Sequence, residues 1–513
     1  MYRGSFQTVG NSKEDPDYVY YNASIINNST TVSDDTGQFI ASDPAVRFNE
    51  TRDKEILQNA GDYYFSIIRL QLNGTGRDLP LFIPTIQSGG GNADVNLTTY
   101  GASFSYSQTF SLWNGTVAQN VTITVCPELN FVLYFPETTN PVIAPVPSSQ
   151  ALAATSTQDI STRYYWVYTY QWWLQLVNRS FLNPDELDNG NGFPFSCAWG
   201  KTYQALLNAL PEAAFVFPTL RVFNDYVNCP QLVFNPDTNK FSVYGDSDGF
   251  GQRIQTFLPG VATALDILQF ASPPKARMFM NSNMFGLFAN LPNQYWNTVA
   301  NNYNPFTNTP LSPDVSSLPA VPTTVPVGLV NEIRFFNKFY TNVADYRLSP
   351  ESGRAPLGYV PIGAQKPYWV MEQEMTSTDS LWSPIESLVV TSNLLSVASE
   401  YTSPPVALGT SNNVFSSPTA PSAFEPIVTD VMFDSSTLGS HINRQYYLWE
   451  PKAEFRLADF QTKGTAVKNI DIQIFWRSRL NGNLYPLQMF NLSSVSIKAM
   501  FKHRSLGGGK GAF

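Results

Sequence analysis

The sequence predicts a mainly β protein, an antiparallel β-sandwich with a helical insertion and long loops. Three observations predict it. Short segments rich in β-branched and aromatic residues recur along the chain, bounded by Gly, Asn and Pro clusters. Helix-like patterning is confined to one block near residues 160–217. Charge is scarce, at 14% of 513 residues, and aromatics (also 14%), Asn, Ser, Thr and Pro take its place.

The elements follow in order. Residues 1–17 are polar and read as an N-terminal arm. Strands are expected at Tyr18–Ile26, Tyr63–Leu72, Leu79–Ile86, Tyr100–Leu112, Val121–Val125 and Phe131–Phe135. Between Tyr100 and Phe110 aromatic and small polar residues alternate in places, the mark of a strand with one buried face. A Pro-, Ser- and Ala-rich loop spans 136–157. Tyr164–Phe181 is too densely apolar for a half-exposed strand and long enough for a buried helix. Trp199–Phe217 holds the best helix former, Tyr203–Leu210, with Pro211 marking either its end or the next turn. Gln231–Tyr244 reads as a hairpin turning on Asn235-Pro-Asp-Thr-Asn239.

Residues 293–326, rich in Asn and then Pro, Ser and Thr, have little that could pack and read as a linker. They divide a first sandwich, 18–292, from a second β block, 327–504, with a Gly-rich tail at 505–513. The second block carries candidate strands at 368–375, 387–397, 426–433 and 445–449. Two stronger ones close it. In Val467–Trp476, Ile470, Ile472 and Ile474 share one face while Asp471 and Gln473 take the other; Val495–Phe501 follows. No short repeat indicates a solenoid or propeller.

The net charge of −9 and pI near 4.9 argue against the whole chain being a nucleic-acid binder. The balance reverses toward the end. Lys452, Arg456, Lys463, Lys468, Arg477, Arg479, Lys498, Lys502, Arg504 and Lys510 face only Glu454, Asp459 and Asp471. Such a segment is either a solvated basic face with a frayed tail or an end turned toward packaged genome or an acidic neighbour. Cys126, Cys197 and Cys229 lack metal-ligand spacing and read as reduced thiols of an intracellular compartment. The opening residues have no apolar core suited to a secretory signal, and no run of about 18 apolar residues suggests a membrane span. The sequons at Asn22, Asn28, Asn49, Asn73, Asn114 and Asn178 then reflect Asn, Ser and Thr richness.

Catalytic chemistry finds little to work with. There are two histidines; His503 falls in the basic tail, and His441 has no Gly-x-Ser-x-Gly elbow beside it. Asp246-Ser-Asp248-Gly-Phe-Gly251 lacks the later ligands of a calcium loop and reads as a turn. Ser88–Gly91 has the glycines of a phosphate cradle without the following Lys, and reads as a loop. Glu372 and Glu374 are expected on one strand face, a common arrangement on exposed strands. No catalytic, cofactor-binding or metal residue is assigned, and the chain is expected not to be an enzyme.

The ending is the most distinctive part: Tyr446–Pro451, Phe455–Phe460, Ile470–Trp476, Asn483–Leu487 and Val495–Lys498. With Tyr63–Arg69 and Leu79–Pro84 it resembles jelly-roll capsid proteins of small eukaryotic DNA viruses, in the Polinton-like, virophage and adenovirus-like group. The resemblance implies one or two jelly rolls. Major capsid proteins of that group have two and form trimers. Pentons have one, usually embellished, and form pentamers at vertices. The Pro-rich separator favours two rolls and the helical insertion favours one. Leu506–Gly509 before Lys510 resembles the double-glycine sites cut by adenovirus-type maturation proteases, a composition that plain flexible ends share.

The expected function is a structural capsid protein of the virion, made and assembled inside the host cell. Its expected partners are copies of itself, other capsid proteins and, through the basic C-terminal segment, the genome. Composition supports assembly independently, since interface cores are poor in Lys, Glu and Asp and rich in aromatics. A carbohydrate-binding or adhesive β-sandwich is the alternative, with a β-sandwich hydrolase third.

Overall fold

The computed structural model describes residues 16–28, 32–33, 39–40, 45–87, 96–113, 118–125, 127–137, 158, 160–161, 163–187, 195–211, 213–226, 228–246, 267–270, 275–288, 290–291, 293–295, 331–333, 339–340, 368–374, 382–398, 400–402, 406–407, 415–416, 423–432, 446–451, 456–462 and 464–504. The chain forms two compact units. One joins residues 1–80 to 383–513, and the other is 81–382.

The first unit is built on eight strands, labelled in chain order: β1 (Tyr18–Ile26), β2 (Arg47–Thr51), β3 (Tyr63–Asn73), β4 (Ile385–Thr391), β5 (Ile427–Met432), β6 (Tyr446–Trp449), β7 (Asn469–Ser478) and β8 (Ser494–His503). One antiparallel sheet has the order β1-β8-β3-β6, the other β2-β7-β4-β5. Two such four-stranded sheets, with first strand beside last and second beside seventh, make a jelly roll. Short pieces extend both sheets: Leu484–Pro486 beside β7 and Ala458–Asp459 beside β3.

Alternation along the strands fills the space between the sheets. Ile470, Ile472, Ile474 and Trp476 of β7 are all buried, as the period of two in the sequence requires. Val495, Ile497 and Phe501 of β8 and Phe65, Ile67 and Leu70 of β3 are buried likewise. Each large aliphatic side chain so covered contributes about 1.5–3 kcal/mol.

The second unit centres on one long strand, Leu97–Trp113, which pairs with Ala118–Val125, Asn130–Leu133, Ile267–Phe270 and Lys275–Met280. Helix α1 (Tyr170–Phe181) packs against the Asn130–Leu133 strand, and α2 (Ala198–Ala209) against the long strand. Thr169 caps α1, its hydroxyl accepting from the Trp172 amide at 3.2 Å. Helix α2 ends at Leu210 before Pro211, and a short helix at Ala213–Val216 follows. The expected hairpin forms with Gln231 opposite Tyr244, and Asn239 adopts φ 55° in its turn. An aromatic core runs through Phe82, Tyr170, Trp173, Phe241 and Trp382, with Phe241 and Trp382 stacked at 5.1 Å.

Several expectations change. Leu79–Ile86 is no strand; Phe82 and Ile86 make single bridges to Val167 and Thr98. The units also do not follow the sequential blocks 18–292 and 327–504. Residues 18–26 pair with 494–502, and the 81–382 unit lies in the chain between β3 and β4. Hydrophobic period fixes which face of a strand is covered, but not which distant strand covers it. Of the expected linker 293–326, Asn293–Tyr295 forms a strand paired with Asn331–Ile333, and the rest lies outside the described residues. His503 belongs to β8 rather than to a frayed tail, its ring edge-on to Tyr63 at 5.1 Å.

Candidate assembly surface

Register aligns the side chains on the face of the β1-β8-β3-β6 sheet away from its isoleucine- and phenylalanine-filled core in five cross-strand rows, of which Met500 and Ser66 in the second are themselves buried. The first three are Tyr18–Lys502–Tyr64, Tyr20–Met500–Ser66 and Asn22–Lys498–Arg69. The fourth is Ser24–Ser496–Gln71–Leu448 and the fifth Ile26–Ser494–Asn73–Tyr446. One end of the face is therefore aromatic and basic, and the other carries uncharged polar and apolar side chains.

The apolar end is exposed. Ile26 is 66% accessible and Tyr446 and Leu448 nearly half so; Leu492, 80% accessible, follows on the loop whose Leu492 amide donates to the Asn27 carbonyl at 2.7 Å. β1 and β6 end the sheet order, and β5, which ends the other sheet, carries Met432 at 70%. Solitary proteins blunt sheet edges with Lys, Pro or short strands. Here β6 is such a short strand, but the edge strands expose Ile26, Leu448, Met432 and Tyr446, which suits burial by another subunit.

The aromatic surplus is divided. Trp166, Trp173, Trp199, Trp382 and Trp476, five of the ten tryptophans, are almost wholly buried in their own units. Much of the aromatic richness thus builds cores, while Tyr18, Tyr20, Phe135 and Tyr446 remain outside.

Among the described residues, those with candidate chemistry do not assemble. Glu372 ends its strand and Glu374 lies beyond it, its amide donating to the Asn290 carbonyl, with buried Gln373 between them. Of the two glutamates only Glu372 lies within the strand. Asp246 ends the hairpin; Asp248–Gly251, Ser88–Gly91, Cys126, His441 and Leu506–Lys510 lie outside the described residues. Among the described residues no group of three His, Cys, Asp or Glu side chains could hold a metal ion. No helix among them is long and apolar enough to cross a membrane.

The second unit holds a pocket of about 310 Å³ lined by Leu133, Phe135, Leu176, Arg179, Cys197 and Lys201, among others. Its cations are engaged: Arg179 pairs with Asp185 at 2.8 Å and Lys201 donates to Asn130 at 3.1 Å. Burial, and then the charge of Glu186, push the Cys197 thiol up to about 12, far from a nucleophilic thiolate at neutral pH. Burial also raises Glu186, but hydrogen bonds from Ser196 and Cys197 outweigh it and leave that carboxyl below its ordinary value. The group is a structural clamp on the start of α2.

With the fold and this surface in place, comparison with known proteins decides the family. The Sputnik minor capsid protein V18/19 family matches residues 19–503, nearly the whole chain. The chain belongs to that family. It is thus a virophage capsid-type structural protein. Among V18/19 relatives, the uncharacterized protein V18 of Sputnik virophage is 30% identical over 170 residues, covering 33% of this chain and 83% of V18. A chain of the Sputnik virophage particle solved by cryo-EM superposes with a TM-score of 0.56 at 20% identity, over 96% of this chain and 99% of that one. The mavirus penton protein gives 0.45 at 11% identity, over 95% and 99%.

Proposed function

We propose that this V18/19-family chain is the penton-type subunit of an icosahedral virion, assembling as a ring of five at the vertices. One observation carries the reading. Among the described residues the eight-strand jelly-roll order is completed once, by residues from both ends of the chain, and the 81–382 unit is inserted between its third and fourth strands. A single embellished roll is the pattern of pentons in the group this sequence resembles, whereas major capsid proteins carry two.

The subunit works by burial and needs no reaction. Apolar side chains at the open sheet edges supply the drive for association, and closed rotational symmetry lets one patch be covered in every copy. Synthesis and assembly take place inside the host cell, other capsid proteins surround the ring, and the basic C-terminal strand region meets the packaged genome. Electron microscopy of the purified chain tests the reading. Fivefold rings are expected. Threefold particles would return it to the major capsid type. A chain that stays monomeric when concentrated and binds a glycan array would favour the carbohydrate-binding alternative.

A further inference from the structure

The basic end of the jelly-roll face has an arrangement that subunit contact leaves unexplained. Tyr18 and Tyr20 project on the same side of β1, with rings 6.4 Å apart and 11° from parallel, and both are about half exposed. The Lys498 ammonium lies 5.1 Å from the Tyr20 ring centre, and the Arg504 guanidinium 4.5 Å from that of Tyr64. Lys502 sits between Tyr18 and Tyr64, and Arg69 beside Lys498.

Of these four cations Arg504 alone forms an ion pair among the described residues, with Asp459 at 2.7 Å. The other described acids at this end are Asp17, whose carbonyl accepts from the His503 amide, and Asp62, which precedes β3 and accepts from the Asn59 side-chain amide at 2.6 Å. A patch of four cations against these three acids stands out in a chain of net charge −9. Isolated surface cations would be ordinary. Cations interleaved with half-exposed, near-parallel tyrosines are what a nucleic-acid strand uses, with phosphates on the cations and bases on the rings.

We propose that this face binds single-stranded nucleic acid, with Lys498, Lys502 and Arg69 holding phosphates and Tyr18 and Tyr20 stacking on bases. The proposal rests on the shell-protein reading, and it assigns the genome contact to the first three rows of the sheet rather than to the C-terminal tail. Tyrosine stacking favours nucleic acid over an acidic polypeptide, which would use the cations and leave the rings idle.

The test is fluorescence anisotropy of a fluorescein-labelled thymidine 20-mer with the full chain across salt concentrations. At about 0.7 counterions per phosphate, these three contacts predict roughly 20-fold weaker binding between 50 and 200 mM salt. Lys498→Gln with Lys502→Gln is expected to weaken binding at least about tenfold and to reduce the salt slope by about 1.4. Tyr20→Ala is expected to weaken binding without changing the slope, and Arg69→Gln serves as a further variant should the lysine pair fail to fold by circular dichroism. Absent binding, binding indifferent to these variants, or equal binding of a labelled poly-glutamate peptide would each overturn the proposal. Micrographs of the same samples keep the two readings apart. Intact rings without nucleic-acid binding would refute this inference alone, whereas loss of the rings would refute the shell reading.

Discussion

The Ser392 hydroxyl donates to the Asp471 carboxylate at 2.6 Å, and the amides of Asn393 and Leu394 close on the same group at 2.9 and 2.7 Å. Asp471 projects from β7 on the side away from the isoleucines, yet it is buried, because the turn leaving β4 folds over it. Removing the carboxylate strands three donors at once. Asp471→Ala is expected to cost about 2–4 kcal/mol, and Ser392→Ala about 1 kcal/mol. Urea denaturation of the full chain measures both, and amide exchange at Asn393 and Leu394 should accelerate in the first variant. An unchanged midpoint would show that the turn holds without its clamp.

A second relationship ties β1 to β2 and depends on pH. The Tyr21 hydroxyl donates to Glu50, Arg52 donates to the same carboxylate at 3.0 Å, and the Arg52 guanidinium lies 5.4 Å from the Tyr21 ring centre. The Tyr21 hydrogen bond, then Arg52, hold the Glu50 carboxyl below its ordinary value of 4.5. A carboxyl depressed in the folded state stabilises that state above its unfolded value, and the gain is lost as pH falls through the folded value. Thermal midpoints should therefore be insensitive to this group from pH 7 to about 5 and fall below about 4.5. Tyr21→Phe and Glu50→Gln should each flatten that fall; wild-type slopes in both would refute the linkage.

Cys197 and Cys229 are both free and buried, and burial raises both thiols, the first to about 12. Neither should react with iodoacetamide in the native chain at pH 8, and both should in guanidinium. Peptide mass spectrometry reads the two sites separately from Cys126. Native labelling at Cys197 would mean that the loop carrying it opens.

The edge residues supply the assembly test. Tyr446→Asp with Leu448→Asp places charge on exposed positions of β6, so folding should be unaffected within about 0.5 kcal/mol each. Oligomers seen by analytical ultracentrifugation should fall at least tenfold in association constant, because unpaired carboxylates would be carried into the contact. Wild-type assembly by a folded double variant would move the contact elsewhere on the subunit.

Strands whose signal was local were legible in the sequence. Tyr18–Ile26 forms over the expected residues, and the isoleucines of β7 point inward as their spacing requires. The Gln231–Tyr244 hairpin was legible because its turn residues lie beside the strands they join. Leu79–Ile86 was misleading: its apolar residues are buried without a ladder, since a covered loop and a strand share one composition. The candidate surface was legible as chemistry and not as place. Lys498, Lys502 and Tyr18 were all visible in the sequence, but their common face depends on the pairing of β1 with β8.

By itself the sequence determined the mainly β class, the helical block, the scarcity of catalytic groups and the likeness to capsid proteins, because these rest on composition and on periods of a few residues. Only the tertiary structure decided that the two chain ends close one jelly roll around the strands between them, that Asp471 is buried under a turn, and that an aromatic, basic patch and an apolar patch occupy opposite ends of one sheet. Backbone pairing between segments hundreds of residues apart is selected by the whole set of strands at once, and local pattern carries no record of it.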